Sequence, residues 1–164
     1  MKSVRIGQGF DVHAFGGSRP LVVCGVTIES EEGLQGHSDA DVGLHAVADA
    51  IFGAVAAGDL GEHFPSNEPE WHDMESRVFV ERALDIASGR GFSVVNCDLT
   101  VIGERPPIAP HRNSMRLRVA RLLGVSENRV SVKATTSDGL GFCGRGEGLA
   151  ALAVILLEEA EDDD

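Results

Sequence analysis

The run "GHSDADVGLHAVADAIFGAVAAGDLG", Gly36 to Gly61, limits what this chain can fold into more than any other stretch. Leu44, Val47, Ala48, Ile51, Phe52 and Val55 recur at the spacing of one helical face. Ser38 with Asp41 resembles a capping box, and Gly58 suits the stop. The apolar residues are mostly small, so the helix is expected to be closely packed. Polar side chains on it then need partners. Asp41, His45 and Asp49 fall at i, i+4 and i+8, a polar stripe beside the apolar one.

Strand-like runs flank that helix. Val4 to Phe15 has the β-branched and aromatic content of a strand, and "LVVCGVTI" reads as another. Glu62 to Asp73, with Pro65 and Pro69, reads as a loop, and a second helix is expected from Met74 to Ser88, ended by Gly89 and Gly91. "FSVVNCDLTVIGE" then alternates, with Val95, Cys97, Leu99 and Val101 on one face. "RPPIAPH" interrupts regular structure, and Pro110 opens a third helix that runs through Met115, Val119 and Leu122 to Gly124. "RVSVKATT" is a strand feeding the glycine-studded loop "SDGLGFCGRGEG". The closing run "LAALAVILL" fits a buried strand or a helix, and its length and bounding glycines favour strand. Strands and helices interleave without a strict βαβ rhythm. The fold class expected is α+β, a mixed sheet with helices packed on one face. Residues 1–157 form one domain, and 158–164, "EEAEDDD", an acidic tail expected to be solvated and disordered.

Twenty-six acidic against fourteen basic residues give a formal charge of -12, which argues against nucleic acid and anionic membrane surfaces as partners. The longest apolar run is too short to span a bilayer, and the N-terminal residues lack the apolar core of a signal peptide. Cys24, Cys97 and Cys143 lie far apart with no C-x-x-C pair, and read as reduced thiols of a cytoplasmic protein.

Inside the first strand, "GFDVHAF" places Asp11 and His13 two residues apart, on one face, with Val12 on the other. Alone, such a pair more often lines a polar sheet face than binds an ion. With His45 from the helix it becomes an Asp-His-His set suited to Zn²⁺ with a fourth position open for substrate. Asp49 is placed to orient His45 as a hydrogen-bond acceptor. "GRGEG" has neither P-loop nor dinucleotide spacing and can simply make turns. "KATTSD" is more telling. Its strand delivers Lys133, Thr135, Thr136, Ser137 and Asp138 to one end, where hydroxyls and amides can hold phosphate oxygens.

"GFDVHAF", "HSDADVGLHAVADAIFGAVAAGDLGEHFP" and "VKATTSDGLGFCGRGEG", in that order, resemble the 2-C-methyl-D-erythritol 2,4-cyclodiphosphate synthase family over about Arg5 to Leu157. The resemblance implies a homotrimer with sites between subunits, turning 4-diphosphocytidyl-2-C-methyl-D-erythritol 2-phosphate into the cyclic diphosphate and CMP. It implies Asp11, His13 and His45 as zinc ligands, and Asp138, where the family commonly has glutamate, at a second ion, Mg²⁺ or Mn²⁺. His37 and Thr136 match residues that steady the transition state. Asp59, Leu60 and Gly61, with Phe64, Pro65 and Ser66, match the erythritol loop, and Ser38 lies beside His37. Gly103, Glu104, Arg105, Pro106, Pro107, Ile108 and Ala109, with Ala134 and Thr135, match the cytidine pocket. Ser137, Phe142 and Arg145 complete the implied substrate contacts. Arg145 and Glu147 also match residues near a cavity on the trimer axis, implying isoprenoid diphosphates as further ligands. The nucleophile in this chemistry is the substrate's own 2-phosphate, so the protein supplies positioning and charge neutralisation. Three positions depart from the pattern. Pro107 replaces the usual lysine, Ser66 an aspartate with Glu68 nearby, and Gln8 a frequent histidine.

Overall fold

The computed structural model describes residues 2–161. β1 (Val4–Gly17) alternates between exposed and inward residues from Ile6 to Phe15, and the reason lies on its inner face. Gly7 and Gly9 face α1 (Val42–Ala54), where a Cβ on either would collide with the carbonyl oxygens of Ala50 and Ala46. Two glycines on the strand and a ridge of alanines on the helix thus let the two backbones approach closely. Phe52, Ile51 and Val47 complete the buried face of α1, each fully buried and each contributing about 1.5 to 3 kcal/mol.

The sheet has five strands in the order β4-β1-β7-β5-β6. β4 is Gly33–Leu34, β5 Phe92–Ile102, β6 Val130–Thr135 and β7 Gly148–Glu159. β5 and β6 run parallel, and the other pairs are antiparallel, so the sheet is mixed. α1, α3 (Arg77–Gly89) and α4 (Arg112–Leu123) pack on one side of it, giving the expected α+β layering. The other side leaves Ile6, Phe10, Val12 and Val154 exposed.

Several local expectations need correction. "LVVCGVTI" is not one strand but a hairpin, β2 (Leu21–Val23) and β3 (Val26–Ile28), turned at Cys24 and Gly25, which both have positive φ. Asp41 alone caps α1, accepting from Leu44 N–H, and the same carboxylate accepts from Cys24 and Gly25 N–H at 2.7 and 2.6 Å. It therefore clamps the hairpin turn onto the helix start, and Ser38 is left out of the cap. α1 stops at Ala54, before Gly58. The 62–73 segment contains helical turns, α2 (Leu60–His63) at its edge and a 3-10 turn at Pro69–Trp71. Pro110 sits in a 3-10 turn, Ala109–His111, ahead of α4. In β5 the register slips between Val94 and Asn96, which makes Val95 a bulge residue and puts Val94 against the core in its place. α5 (Gly141–Gly144) interrupts the glycine loop. β7 continues through Glu158 and Glu159, two residues into the expected tail, with Glu159 taking the Ser3 N–H; residues 162–164 lie outside the described residues.

Candidate active site

The close approach of β1 and α1 brings Asp11, His13 and His45 together. His13 Nε2 lies 2.9 Å and His45 Nδ1 3.0 Å from Asp11 Oδ2, and the two nitrogens are 3.1 Å apart. Bonds of about 2.0 to 2.1 Å to a tetrahedral ion put neighbouring ligand atoms about 3.3 Å apart, close to this spacing. His13 Nδ1 is 2.7 Å from the Gln35 carbonyl oxygen, which can only accept, so Nδ1 carries a hydrogen. In the neutral ring Nε2 is then a lone pair aimed at the triad centre. The donor set, one carboxylate and two imidazoles, fits a borderline divalent cation such as zinc.

Burial works against the charge of Asp11, yet the His13 and His45 rings outweigh it and hold the carboxyl down to about 2. Burial likewise disfavours the charged His13 ring, and hydrogen bonding to Asp11 overcomes it, leaving His13 above its ordinary value. Each partner stabilises the ionised form of the other.

A cavity of about 170 Å³ opens beside the triad, lined by His13, His37, Ser38 and His45 together with Leu60, Gly61, Phe64 and Ser66. The implied erythritol loop and the implied metal ligands therefore share one space. Asp59 caps α2 through the Glu62 N–H, and Pro65 O accepts from Glu68 N–H, which shapes that loop. Trp71, His72 and Phe79 complete the wall, and sequence reasoning missed all three. Phe64 meets Trp71 edge-on at 4.9 Å and Phe79 at 4.4 Å, a rigid aromatic side to the cavity. Their signal was faint, since Trp71 sits in a stretch that reads as loop and Phe79 as an ordinary core residue. A larger cavity of about 630 Å³ lies elsewhere, around Arg77, Arg118 and Arg121, and is lined by none of the site residues expected from the sequence.

Asp49 does not orient His45. Its Oδ1 accepts the Leu60 N–H at 2.7 Å, pinning α2 to α1. His45 Nε2 instead faces Ser76 Oγ at 2.8 Å and Ser38 Oγ at 3.1 Å. Ser76 went unnoticed because it reads as the start of α3.

The remaining predicted residues gather elsewhere. Glu104 Oε1 takes the N–H groups of Ser137 and Gly139, and Thr135 O takes that of Gly103, so residues 103–109 and 134–138 form one cluster at the end of β6. Thr136 and Asp138 are exposed there, Asp138 with φ of 56°. Ile108 is buried in the core, so its main chain is the part that can face a ligand. Arg105 stacks over Phe15 at 4.4 Å and pairs with Glu32 at 2.8 Å. Phe142 and Arg145 lie beyond in the glycine-rich segment, Arg145 paired with Glu147 at 2.9 Å. The register row Asp11, Ala151, Val101, Ala134 crosses three strand spacings, so Ala134, on the β6 side of this cluster, stands about 14 Å across the sheet from Asp11, while Arg105 reaches back to Phe15 of β1.

The YgbB family profile matches residues 4–158. Among curated relatives, 2-C-methyl-D-erythritol 2,4-cyclodiphosphate synthase of Cereibacter sphaeroides (strain ATCC 17029 / ATH 2.4.9) is 51% identical over 96% of this chain and 99% of its own. The bifunctional enzyme IspD/IspF of Ruegeria pomeroyi is 51% identical over 94% of this chain and 41% of its own. Among solved structures, bifunctional IspDF from Campylobacter jejuni aligns with a TM-score of 0.94 at 38% identity, covering 98% of this chain and 44% of that one. IspF of Plasmodium falciparum in complex with CDP aligns at 0.84 and 30%, covering 97% and 98%. With its strand-helix triad, a family profile that matches nearly the whole chain and 51% identity over nearly all of the Cereibacter enzyme, the chain belongs to the YgbB family, that of the 2-C-methyl-D-erythritol 2,4-cyclodiphosphate synthases.

Proposed function

We propose that this chain cyclises 4-diphosphocytidyl-2-C-methyl-D-erythritol 2-phosphate to 2-C-methyl-D-erythritol 2,4-cyclodiphosphate, releasing CMP, in non-mevalonate isoprenoid biosynthesis. The observation that carries this reading is the convergence of Asp11, His13 and His45 on a cavity that also holds Leu60, Gly61 and Phe64, in a chain 51% identical to enzymes of that name. An oxygen of the 2-phosphate bonds to the β-phosphorus. The bond from that phosphorus to the bridging oxygen breaks, and CMP departs with the electron pair.

Asp11, His13 and His45 would hold zinc, and Asp138 would help hold Mg²⁺ or Mn²⁺. When bound, such ions supply positive charge that draws electron density from the diphosphate. The chain's own residues position the substrate. Phe64, Trp71 and Phe79 would exclude water beside the erythritol carbons, and Ser66 lines the same space. His37 and Thr136 would donate hydrogen bonds to oxygens that gain charge as the ring closes. Residues 103–109 with Ala134 and Thr135 would hold the cytidine end.

We take the assembly to be a homotrimer in which a second copy brings its residues 103–109 and 134–138 to the triad; within one chain Ala134 stands about 14 Å across the sheet from Asp11. The exposed apolar face of β1 and β7, with Ile6 71% and Phe10 52% exposed, is the surface such copies would cover. Isoprenoid diphosphates on the trimer axis would have to share Arg145 with Glu147. Among the described residues no helix is long and apolar enough to cross a membrane, and the three cysteines are buried and unpaired, in keeping with a cytoplasmic enzyme.

Phosphorus NMR of the protein with substrate, Zn²⁺ and Mg²⁺ tests the reading. Cyclic diphosphate with CMP supports it. A linear diphosphate with CMP would mark a zinc phosphoesterase instead, and binding without turnover a non-enzymatic binder.

A further inference from the structure

His45 can offer a lone pair at Nδ1 only if its proton sits on Nε2. Nε2 faces two hydroxyls, Ser76 Oγ at 2.8 Å and Ser38 Oγ at 3.1 Å, and a hydroxyl can donate or accept. Asp39 decides between these. Its Oδ2 accepts the Ser76 N–H at 3.0 Å, and its Oδ1 accepts the Asp41 N–H at 3.2 Å and the Ser76 hydroxyl. An ionised carboxylate only accepts, so the single hydroxyl proton of Ser76 points to Asp39. Ser76 Oγ is left as an acceptor, and its 2.8 Å contact, shorter than the 3.1 Å to Ser38 Oγ, is a hydrogen bond only with His45 Nε2 as the donor. Ser76 is fully buried, which keeps water from breaking this order.

Neither residue does the job its position would suggest. Ser76 stands at the N-cap of α3 but makes no capping hydrogen bond, and Asp39 lies two residues before the true cap of α1. The two side chains are turned toward each other, and Ser76 toward His45.

We propose that Asp39 and Ser76 are positioning residues that fix the tautomer of His45 and so set the affinity of the Asp11, His13 and His45 site for its metal. This rests on the reading of that triad as a metal site. Partners of metal-bound histidines act in this way generally, and losing one typically costs about 10- to 100-fold in affinity.

Asp39→Asn keeps the shape and reverses the order. With the amide oxygen on the Ser76 N–H, the amide nitrogen stands in for Oδ1, gives up the longer Asp41 N–H contact and donates to Ser76 Oγ. The hydroxyl proton then turns to His45 Nε2 and the ring proton moves to Nδ1, facing Asp11. The test is nitrogen NMR of labelled histidine in metal-free protein, assigned with His45→Gln, and Zn²⁺ affinity by chelator competition. The expected result is Nε2–H in the parent and Nδ1–H in Asp39→Asn. Zn²⁺ affinity in Asp39→Asn should be about 10- to 100-fold weaker and circular dichroism unchanged. Ser76→Ala, which leaves Ser38 beside the ring, should lose about tenfold. An unprotonated Nε2 in the metal-free parent, or parental affinity in Asp39→Asn, overturns the proposal; a proton on Nδ1 as well only reports the 3.0 Å contact with Asp11. If Asp39→Asn does not fold, the parent spectrum and Ser76→Ala decide in the same way. A parent that binds no Zn²⁺ removes the metal reading instead, while its ring shifts still report the tautomer.

Discussion

Gly9 lies backbone to backbone against Ala46, so close that a Cβ on the glycine would collide with the alanine carbonyl. The next helical residue back is His45, and the next inward residue of the strand is Asp11. The contact thus sets how far the helix stands from the strand at the point where the triad forms.

Gly9→Ala should therefore push α1 outward and spread the triad. Overpacking of this kind typically costs about 1 to 3 kcal/mol, and the metal affinity should fall with it. Thermal unfolding and chelator competition measure the two effects. A variant with parental melting temperature and parental affinity would show that the approach is not strict.

His13→Ala and His45→Ala should each lose bound zinc and cyclisation and still fold, His45→Ala with the lower melting temperature because its buried ring packs on Phe79. Metal analysis and circular dichroism read this, and full zinc occupancy in both variants would contradict the assignment. Thr136→Ala should keep its zinc and lose mainly kcat, because a hydrogen bond strengthened in the transition state lowers the barrier rather than binding the ion.

Acid should release the metal. The ion binds the deprotonated His13 ring, whose hold on a proton is raised by Asp11, so affinity falls by up to about tenfold per pH unit below that raised value. Asp11, held at about 2, stays ionised throughout and adds no slope. The metal-free chain behaves oppositely. The contribution of protonated His13 to stability is fully present below 6.5 and is lost as pH rises through the raised folded value. Melting temperatures of the metal-free protein should fall slightly over that rise, and those of the zinc form should not. Chelator competition from pH 5.5 to 8 that finds constant affinity would refute the first part.

Phe10→Asp or Ile6→Asp should yield monomers that bind zinc but do not cyclise, because each puts a carboxylate on the exposed apolar face that neighbouring copies would bury. Sedimentation equilibrium with activity assays tests it. A fully active monomer of the parent chain would end the trimer reading.

The helix face of α1 and the shared face of Asp11 and His13 were legible in the sequence because periodicity alone determines them. What was not legible depended on contacts between distant segments. Asp41 took the cap from Ser38 because it also had to satisfy the hairpin turn at Cys24 and Gly25. Asp49 was drawn away from His45 by the Leu60 N–H, and Ser76 came to His45 from 31 residues downstream. The Val95 bulge leaves no periodic trace, since one extra residue in a strand looks like continued alternation until its partner is known. The strand order that puts Ala134 three strands from Asp11 is likewise invisible in the motifs.

Pro107 is the departure with the plainest functional consequence. The lysine usual in this family would place a cation in the nucleotide loop, and Arg105, two residues earlier, is the obvious substitute. Its guanidinium, however, already stacks on Phe15 and pairs with Glu32, so it is not free to reach a phosphate without breaking both contacts. The chain should thus bind CMP and substrate more weakly by about 1.5 to 3 kcal/mol, the worth of one charged hydrogen bond, less whatever the stiffer proline loop saves in ordering. Pro107 is exposed, so Pro107→Lys should be tolerated. It should lower KM with kcat nearly unchanged, as expected when ground state and transition state gain equally. Glu32→Gln should loosen Arg105 and lower KM in the parent background, with a smaller effect when combined with Pro107→Lys. An unchanged KM in Pro107→Lys would mean that the nucleotide is anchored by the backbone of residues 103–109 and that the missing cation costs nothing.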